Sequence, residues 1–185
     1  MNALNTALQQ TQTTTKETLL SLPHQLKAQL PLSTKLAQQI ADQRQTIQNI
    51  LEGKDHRLMI VTGPCSIHDP ISALEYAQKL QQLQSQVSDQ IFLVMRTYIE
   101  KPRTTIGWKG FLYDPNLDNS SNMQLGLEKS RELYLQIIEM GLPIAAEILS
   151  PMATAYFDDL LAWGAIGART SESQIHREIS SHMPY

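Results

Sequence analysis

The sequence predicts an α/β fold in which short strands and longer helices alternate and the strands form a parallel sheet. Four short, largely apolar segments have the length and the branched side chains of strands buried on both faces. Each is followed by a segment with helical character, usually opened by a capping residue or a proline. The predicted strands are residues 57–65, 91–95, 144–149 and 165–169. This alternation indicates about four parallel βα units.

The helices between these strands are predicted from their caps and stops. Asp69 caps a helix that begins at Pro70, since proline suits the first helical position. Gly141 stops a later helix, because glycine readily ends a helix. The predicted helices are residues 70–86, 123–140 and 151–163, with a further one beginning at residue 173, and residues 111–122 form a turn-rich connection.

An N-terminal extension precedes the first predicted strand. Residues 1–18 are rich in Gln and Thr and have too few apolar side chains to bury much surface alone. Residues 19–32 contain two prolines, which predict an extended or turning segment. A helix capped by Ser33 or Thr34 is predicted to run to Glu52. We therefore divide the chain into an extension with its helix at 1–53, a βα region at 54–180 and a tail at 181–185.

Composition excludes several classes of function. The 15 basic and 18 acidic residues nearly balance, which argues against a general nucleic-acid or membrane-surface binder. The single cysteine cannot form an intrachain disulfide, so a reducing cytoplasm is the expected setting. No apolar run of about 18 residues and no signal-peptide pattern is present, so we expect a soluble, non-exported protein.

A cationic loop follows the second predicted strand. Four cations fall within 14 residues, and they are Arg96, Lys101, Arg103 and Lys109. Pro102 stiffens the backbone among them, and Thr104 adds a hydroxyl donor. Arginine offers a planar fork to a carboxylate or phosphate, and lysine a compact point charge. The loop therefore predicts a site for a small, highly charged anion, with a solvated basic loop as the alternative.

Polar residues stand where each predicted strand ends or is about to end. They are Cys65, Arg96, Glu147 and Arg169, one for each strand. In a (β/α)₈ barrel the carboxyl ends of the strands converge on one mouth, where the chemistry takes place. We therefore expect these four side chains and the cationic loop to share one site, in the N-terminal part of such a barrel.

Each of these residues also has a structural interpretation. Cys65 fits a small buried hydrophobe, and Arg96 and Arg169 fit pairing with structural carboxylates. Glu147 either orients one of the arginines or, if buried, handles protons. A capping or packing role is favoured for His68 over metal ligation.

The amino-acid sequences of two segments resemble those of a known family. Residues 96–110 read Arg-Thr-Tyr-Ile-Glu-Lys-Pro-Arg-Thr-Thr-Ile-Gly-Trp-Lys-Gly, and residues 63–69 read Gly-Pro-Cys-Ser-Ile-His-Asp. The first is similar to the signature loop of the type I 3-deoxy-7-phosphoheptulonate (DAHP) synthases, and the resemblance extends over residues 58–180. A related eight-carbon synthase that uses arabinose 5-phosphate has Lys-Ala-Asn-Arg-Thr-Ser in its sugar-binding loop. Residues 101–105, Lys-Pro-Arg-Thr-Thr, favour the four-carbon sugar.

The resemblance implies a reaction and roles for individual residues. Phosphoenolpyruvate would condense with erythrose 4-phosphate to give DAHP and phosphate, the first step of the shikimate pathway to aromatic amino acids. The implied phosphoenolpyruvate ligands are Arg96, Lys101 and Arg169, and the implied aldose phosphate ligands are Arg103 and Thr104. Pro102, between Lys101 and Arg103, is a further expected substrate-binding residue. Lys101 and Glu147 are the expected catalytic residues. Cys65 matches a ligand of a divalent metal of the Mn, Fe, Co or Zn class.

The resemblance also implies assembly and regulation. Residues 1–53 correspond to an extension that serves subunit contact and aromatic amino-acid feedback in a homo-oligomer. We expect the chain to be the N-terminal half of such a synthase, truncated at its C-terminus and inactive alone. The alternative hypothesis is a non-catalytic fragment that assembles with a full-length synthase or senses an aromatic amino acid for it.

Overall fold

A computed structural model describes residues 19–184, so the prediction for residues 1–18 lies outside the described range. The helices are α1 (Pro23–Gln29), α2 (Thr34–Leu51), α3 (Pro70–Val87), α4 (Met123–Glu139), α5 (Pro151–Phe157) and α6 (Gln174–His182). The strands are β1 (Leu58–Thr62), β2 (Ile91–Arg96), β3 (Ile144–Glu147) and β4 (Trp163–Ala165). No helix in this range is both long and apolar enough to cross a membrane.

The four strands form one parallel sheet in the order β1-β2-β3-β4. Chain order and spatial order coincide, and a helix follows every strand, as in successive units of a (β/α)₈ barrel. The predicted fold is thus confirmed as a parallel half-barrel with helices. Since all strands point the same way, their carboxyl ends lie along one edge of the sheet.

Two apolar clusters hold the sheet. Leu93 and Met95 of β2 belong to the larger cluster, which includes residues of α3, α4 and α5. Phe92 and Val94 alternate with them and pack in a second cluster that includes Ile47 of α2. Helix α2 therefore covers part of the sheet face opposite to the larger cluster.

Local sequence explains where most helices begin. The Asp69 carboxylate accepts hydrogen bonds from the amides of Ile71 and Ser72, which caps α3 as predicted. The Ser33 hydroxyl caps α2 in the same way by accepting from the Leu36 amide. These caps satisfy amides that have no partner within their own helix.

The prediction of an extended segment over residues 19–32 is wrong, because this segment contains α1. Pro23 occupies the first helical position, where its missing N–H costs nothing. Leu26 is fully buried, so tertiary packing rather than local propensity stabilises this short helix.

The boundaries predicted around the fourth strand are also wrong. Helix α5 ends at Phe157 rather than near residue 163, and β4 begins at Trp163 rather than at 165. The Ala162 amide already donates to the Ile144 carbonyl, so pairing with β3 begins early. Arg169 therefore lies four residues beyond the end of β4 instead of terminating it.

Candidate active site at the strand ends

Arg96 ends β2 and is fixed by the loop after β1. The prediction that the first strand ends at Cys65 is wrong, because β1 ends at Thr62 and Cys65 lies in this loop. Its Nη1 donates to the carbonyls of Pro64 and Cys65, at 2.6 and 2.5 Å. The guanidinium carbon lies 3.6 Å from the centre of the Tyr98 ring, which is cation–π distance. A Cβ on Gly63 would lie 2.5 Å from the Arg96 carbonyl oxygen, so glycine is needed for this close approach. The Arg96 guanidinium also lies close enough to the Cys65 thiol to lower its pKa.

Lys101 and Cys65 meet at this edge of the sheet. The Lys101 ammonium donates to the Cys65 sulfur at 2.8 Å. This hydrogen bond, the Lys101 charge and the nearby Arg96 lower the pKa of the Cys65 thiol. Cys65 is exposed, so the interpretation of this residue as a buried hydrophobe is wrong. A cation and an activated sulfur thus face solvent beside the Arg96 guanidinium.

The cationic loop is closed at its base by backbone hydrogen bonds. The Lys101 amide donates to the Lys109 carbonyl at 2.9 Å, and the Leu112 amide donates to the Ile99 carbonyl at 3.1 Å. At the outer part of the loop, Pro102, Arg103 and Thr104 are all exposed. Their side chains contact no charged or hydrogen-bonding group among residues 19–184, which leaves them open to a ligand.

Glu147 is the last residue of β3, which ends two residues before the predicted end at 149, and its side chain is half-buried. A Cβ on Gly167 would clash with Oε1 of Glu147, so glycine lets the segment after β4 pass close to this carboxylate. The Glu147 charge contributes to raising the pKa of Glu100. Glu147 therefore lies on the side of the site where Glu100 is buried.

Arg169 is not brought into contact with the other predicted site residues. It lies in an exposed turn, where the Thr170 amide and hydroxyl bond the Gly167 carbonyl. Within the described range, its guanidinium makes no hydrogen bond or ion pair. The alternative interpretation, in which Arg169 pairs with a structural carboxylate, is therefore not seen among the described residues.

Sequence reasoning missed the buried carboxylate of Glu100. It accepts a hydrogen bond from the Tyr113 hydroxyl at 3.0 Å and one from the Ser150 amide at 3.3 Å. Burial raises the pKa of Glu100, and burial next to this carboxylate raises that of Tyr113 to about 12. The sequence signal was weak: Glu100 is a single carboxylate among four cations.

His176 is a second residue whose position the sequence did not indicate. It is buried, with its ring nitrogens 2.9 Å from the Leu149 carbonyl and 2.9 Å from the Ser173 hydroxyl. It therefore ties α6 to the segment just after β3. His68 is exposed.

The donors at this edge do not make a metal centre by themselves. Among the described residues there is no cluster of three His, Cys, Asp or Glu side chains that would hold an ion. The Cys65 thiol faces an ammonium group, so it offers one ligand for a divalent metal and no more.

Comparison with known proteins identifies the family to which this chain belongs. The sequence model of the DAHP synthetase I family matches residues 29–184. The chain belongs to this family. It is 53% identical over 167 residues to a Tyr-sensitive phospho-2-dehydro-3-deoxyheptonate aldolase of Escherichia coli K12, covering 90% of the chain and 47% of the relative. A Trp-sensitive aldolase of the same organism is 48% identical, with 86% of this chain and 46% of the relative covered.

A solved structure shares the fold. The phospho-2-dehydro-3-deoxyheptonate aldolase from Francisella tularensis SCHU S4 matches with a TM-score of 0.88 and 47% identity. The match covers 91% of this chain and 50% of that protein. This member of the DAHP synthetase I family thus spans about half the length of the relatives it matches.

Proposed function

We propose that this chain carries substrate-binding residues of a DAHP synthase, which condenses phosphoenolpyruvate with erythrose 4-phosphate and opens the shikimate pathway. The observation that carries the proposal is the Lys101 ammonium, held against the Cys65 sulfur beside the fixed Arg96 guanidinium. Membership of the family and the names of the relatives support the same reaction.

Arg96 and Lys101 are the proposed phosphoenolpyruvate ligands, with Arg169 as a third. Arg96 is held by two hydrogen bonds from Nη1 and by the Tyr98 ring, and its guanidinium is proposed to turn its other N–H groups toward a carboxylate or phosphate. Because its orientation is fixed before the ligand arrives, little entropy is lost on binding. Arg169 lies in an exposed turn and joins the site only if that turn moves toward it.

The outer loop is proposed to hold the sugar phosphate through Pro102, Arg103 and Thr104. Arg103 supplies charge, Thr104 supplies a hydroxyl, and Pro102 limits the backbone between them and Lys101. Two polyanions repel each other, so cations on a fixed loop lower the cost of bringing them together and orient them for attack.

In the proposed condensation the alkene carbon of phosphoenolpyruvate forms a bond to the aldehyde carbon. Water adds at the neighbouring carbon of phosphoenolpyruvate, and phosphate leaves as the seven-carbon product forms. Glu147 accepts one proton from this water, and the Lys101 ammonium gives one to the aldehyde oxygen as it becomes a hydroxyl. The second proton of the water leaves with the phosphate. The family resemblance adds a divalent metal of the Mn, Fe, Co or Zn class, of which the described residues supply only the Cys65 ligand.

A coupled assay of phosphate release, with both substrates and added Mn²⁺, tests the activity. We expect the isolated chain to bind phosphoenolpyruvate without turnover, since its described residues offer a single metal ligand. Robust phosphate release would contradict the expectation that the chain alone is inactive. Failure to bind phosphoenolpyruvate would contradict the proposed function itself.

A second candidate function is a non-catalytic partner of a full-length synthase in the cytoplasm, where a lone thiol stays reduced. The names of the relatives, Tyr-sensitive and Trp-sensitive, favour it because they indicate response to an aromatic amino acid. In this hypothesis residues 1–53 make the subunit contact of a homo-oligomer, residues 54–180 form the half-barrel and 181–185 a tail. Co-purification with a full-length synthase, with tyrosine, tryptophan or phenylalanine present, tests it; absence from such complexes would count against it.

A further inference from the structure

Glu100 is a buried acid at the base of the cationic loop. It is only 7% exposed, although it lies between Ile99 and the cationic residue Lys101. Among residues 19–184 it forms no ion pair, because the neighbouring Lys101 ammonium turns toward Cys65. A charged side chain is costly to bury without a cation, so its hydrogen bonds hold it in place.

Those hydrogen bonds join two loops that are far apart in sequence. Oε1 of Glu100 accepts from the Tyr113 hydroxyl, just beyond the cationic loop, and Oε2 accepts from the Ser150 amide at the start of α5. The backbones of Glu100 and Gly110 are also in close contact, because a Cβ on Gly110 would lie only 2.7 Å from the Glu100 Cα. The base of the cationic loop is thus attached to the loop after β3 through one side chain.

The position of Lys101 depends on this attachment. Lys101 follows Glu100 directly in the chain. Its amide donates to the Lys109 carbonyl, and its ammonium donates to the sulfur of Cys65 in the loop after β1. We propose that Glu100 is a positioning residue, whose carboxylate fastens the base of the cationic loop to the loop preceding α5 and so holds Lys101 beside Cys65. Its consequence for phosphoenolpyruvate rests on the proposed function, whereas its consequence for loop order does not.

Amide hydrogen exchange tests the attachment without any substrate. We expect Glu100→Gln to speed exchange at the Lys101 and Leu112 amides by about tenfold or more, since one of two bonds to a charged acceptor is lost. The Thr97 amide, bonded to the Ala145 carbonyl within the sheet, should keep its rate. Unchanged exchange at Lys101, or equal acceleration at Thr97, would overturn the proposal.

Three further variants sharpen this test. Tyr113→Phe removes one donor and should speed the same amides less, and its combination with Glu100→Gln should be less than additive because both act on one contact. Glu132→Gln is the matched control, since Glu132 is exposed on α4, and it should change nothing. Tyr113→Phe also keeps the proposal testable if a substitution at Glu100 prevents folding, and unchanged loop exchange in it would then overturn the proposal.

Calorimetric titration with phosphoenolpyruvate separates this proposal from the proposed function. We expect the Kd to rise about tenfold in Glu100→Gln and to be unchanged in Glu132→Gln. Faster loop exchange with an unchanged Kd would overturn the claim that Glu100 places Lys101 for the anion. If the unsubstituted chain binds no phosphoenolpyruvate, the proposed function fails, and the exchange rates alone decide the role of Glu100.

Discussion

Arg96 and Lys101 occupy the same edge of the sheet by different means. A strand end and two backbone carbonyls fix Arg96, whereas Lys101 depends on a loop closed at its base. Loops are more easily displaced than strand ends because fewer contacts hold them. Substitutions that loosen the loop should therefore affect Lys101 before they affect Arg96.

Glu100 should make the stability of the chain depend on pH. Burial raises the pKa of its carboxyl above the ordinary value of 4.5, so the folded chain holds this proton more tightly than the unfolded chain. The contribution is full below pH 4.5 and decreases as the pH rises through the raised pKa. Urea unfolding at about pH 4 and about pH 7 tests this. Between these two pH values the free energy of unfolding of the wild type should fall relative to that of Glu100→Gln.

Glu132 is an exposed acid and provides the control. The difference in free energy of unfolding between wild type and Glu132→Gln should be the same at both pH values. A pH-independent difference between wild type and Glu100→Gln would contradict the account of its burial.

At the scale of elements, Arg131 of α4 joins α1 to the segment after α5. It is fully buried, donates to the Leu30 and Tyr156 carbonyls and forms a two-point pair with Asp159. Arg131→Met would leave two carbonyls and the half-buried Asp159 carboxylate without this donor, and should lower the free energy of unfolding by about 2–3 kcal/mol. Denaturant unfolding measures the loss.

Lys54→Met provides the control for that experiment. Lys54 also pairs with a carboxylate, that of Glu52, but its side chain is 69% exposed. This substitution should cost less than about 1 kcal/mol. Equal losses in the two variants would contradict the importance given to the buried pair.

Elements were predictable where a local signal defines them. Asp69 with Pro70 identified the start of α3, and the apolar run over residues 91–95 identified β2. Helix α1 was missed because it is stabilised by the burial of Leu26 against residues distant in sequence. Strand β4 was misplaced because its pairing with β3 determines where it begins.

Site residues were likewise predictable where their place in the sequence determines their position, and not where distant contacts determine it. The proximity of Cys65, Arg96 and Lys101 followed from their places after parallel strands. The burial of Glu100 did not, because its partner Ser150 lies 50 residues away. The place of Arg169, four residues beyond β4, was missed together with the end of β4.

At the scale of the whole molecule, β1 and β4 each have one strand neighbour within the described range. Open strand edges pair readily with other chains. Val61 on β1 is 40% exposed and belongs to such an edge. We therefore expect concentration-dependent association in analytical ultracentrifugation, reduced by Val61→Lys because a lysine on an edge strand opposes pairing.

An exposed substitution away from the sheet, such as Ile71→Lys on α3, should leave association unchanged. Equal reduction by both variants would indicate general surface charge rather than edge pairing.

We propose that the cations at the ends of the parallel strands bind a small organic phosphate. The most direct measurement is the Kd of phosphoenolpyruvate for the chain and for Lys101→Met, determined by calorimetry. Loss of a charged hydrogen-bond donor should weaken binding by about tenfold to a hundredfold, while Lys54→Met leaves it unchanged. Equal affinity of wild type and Lys101→Met would contradict the account.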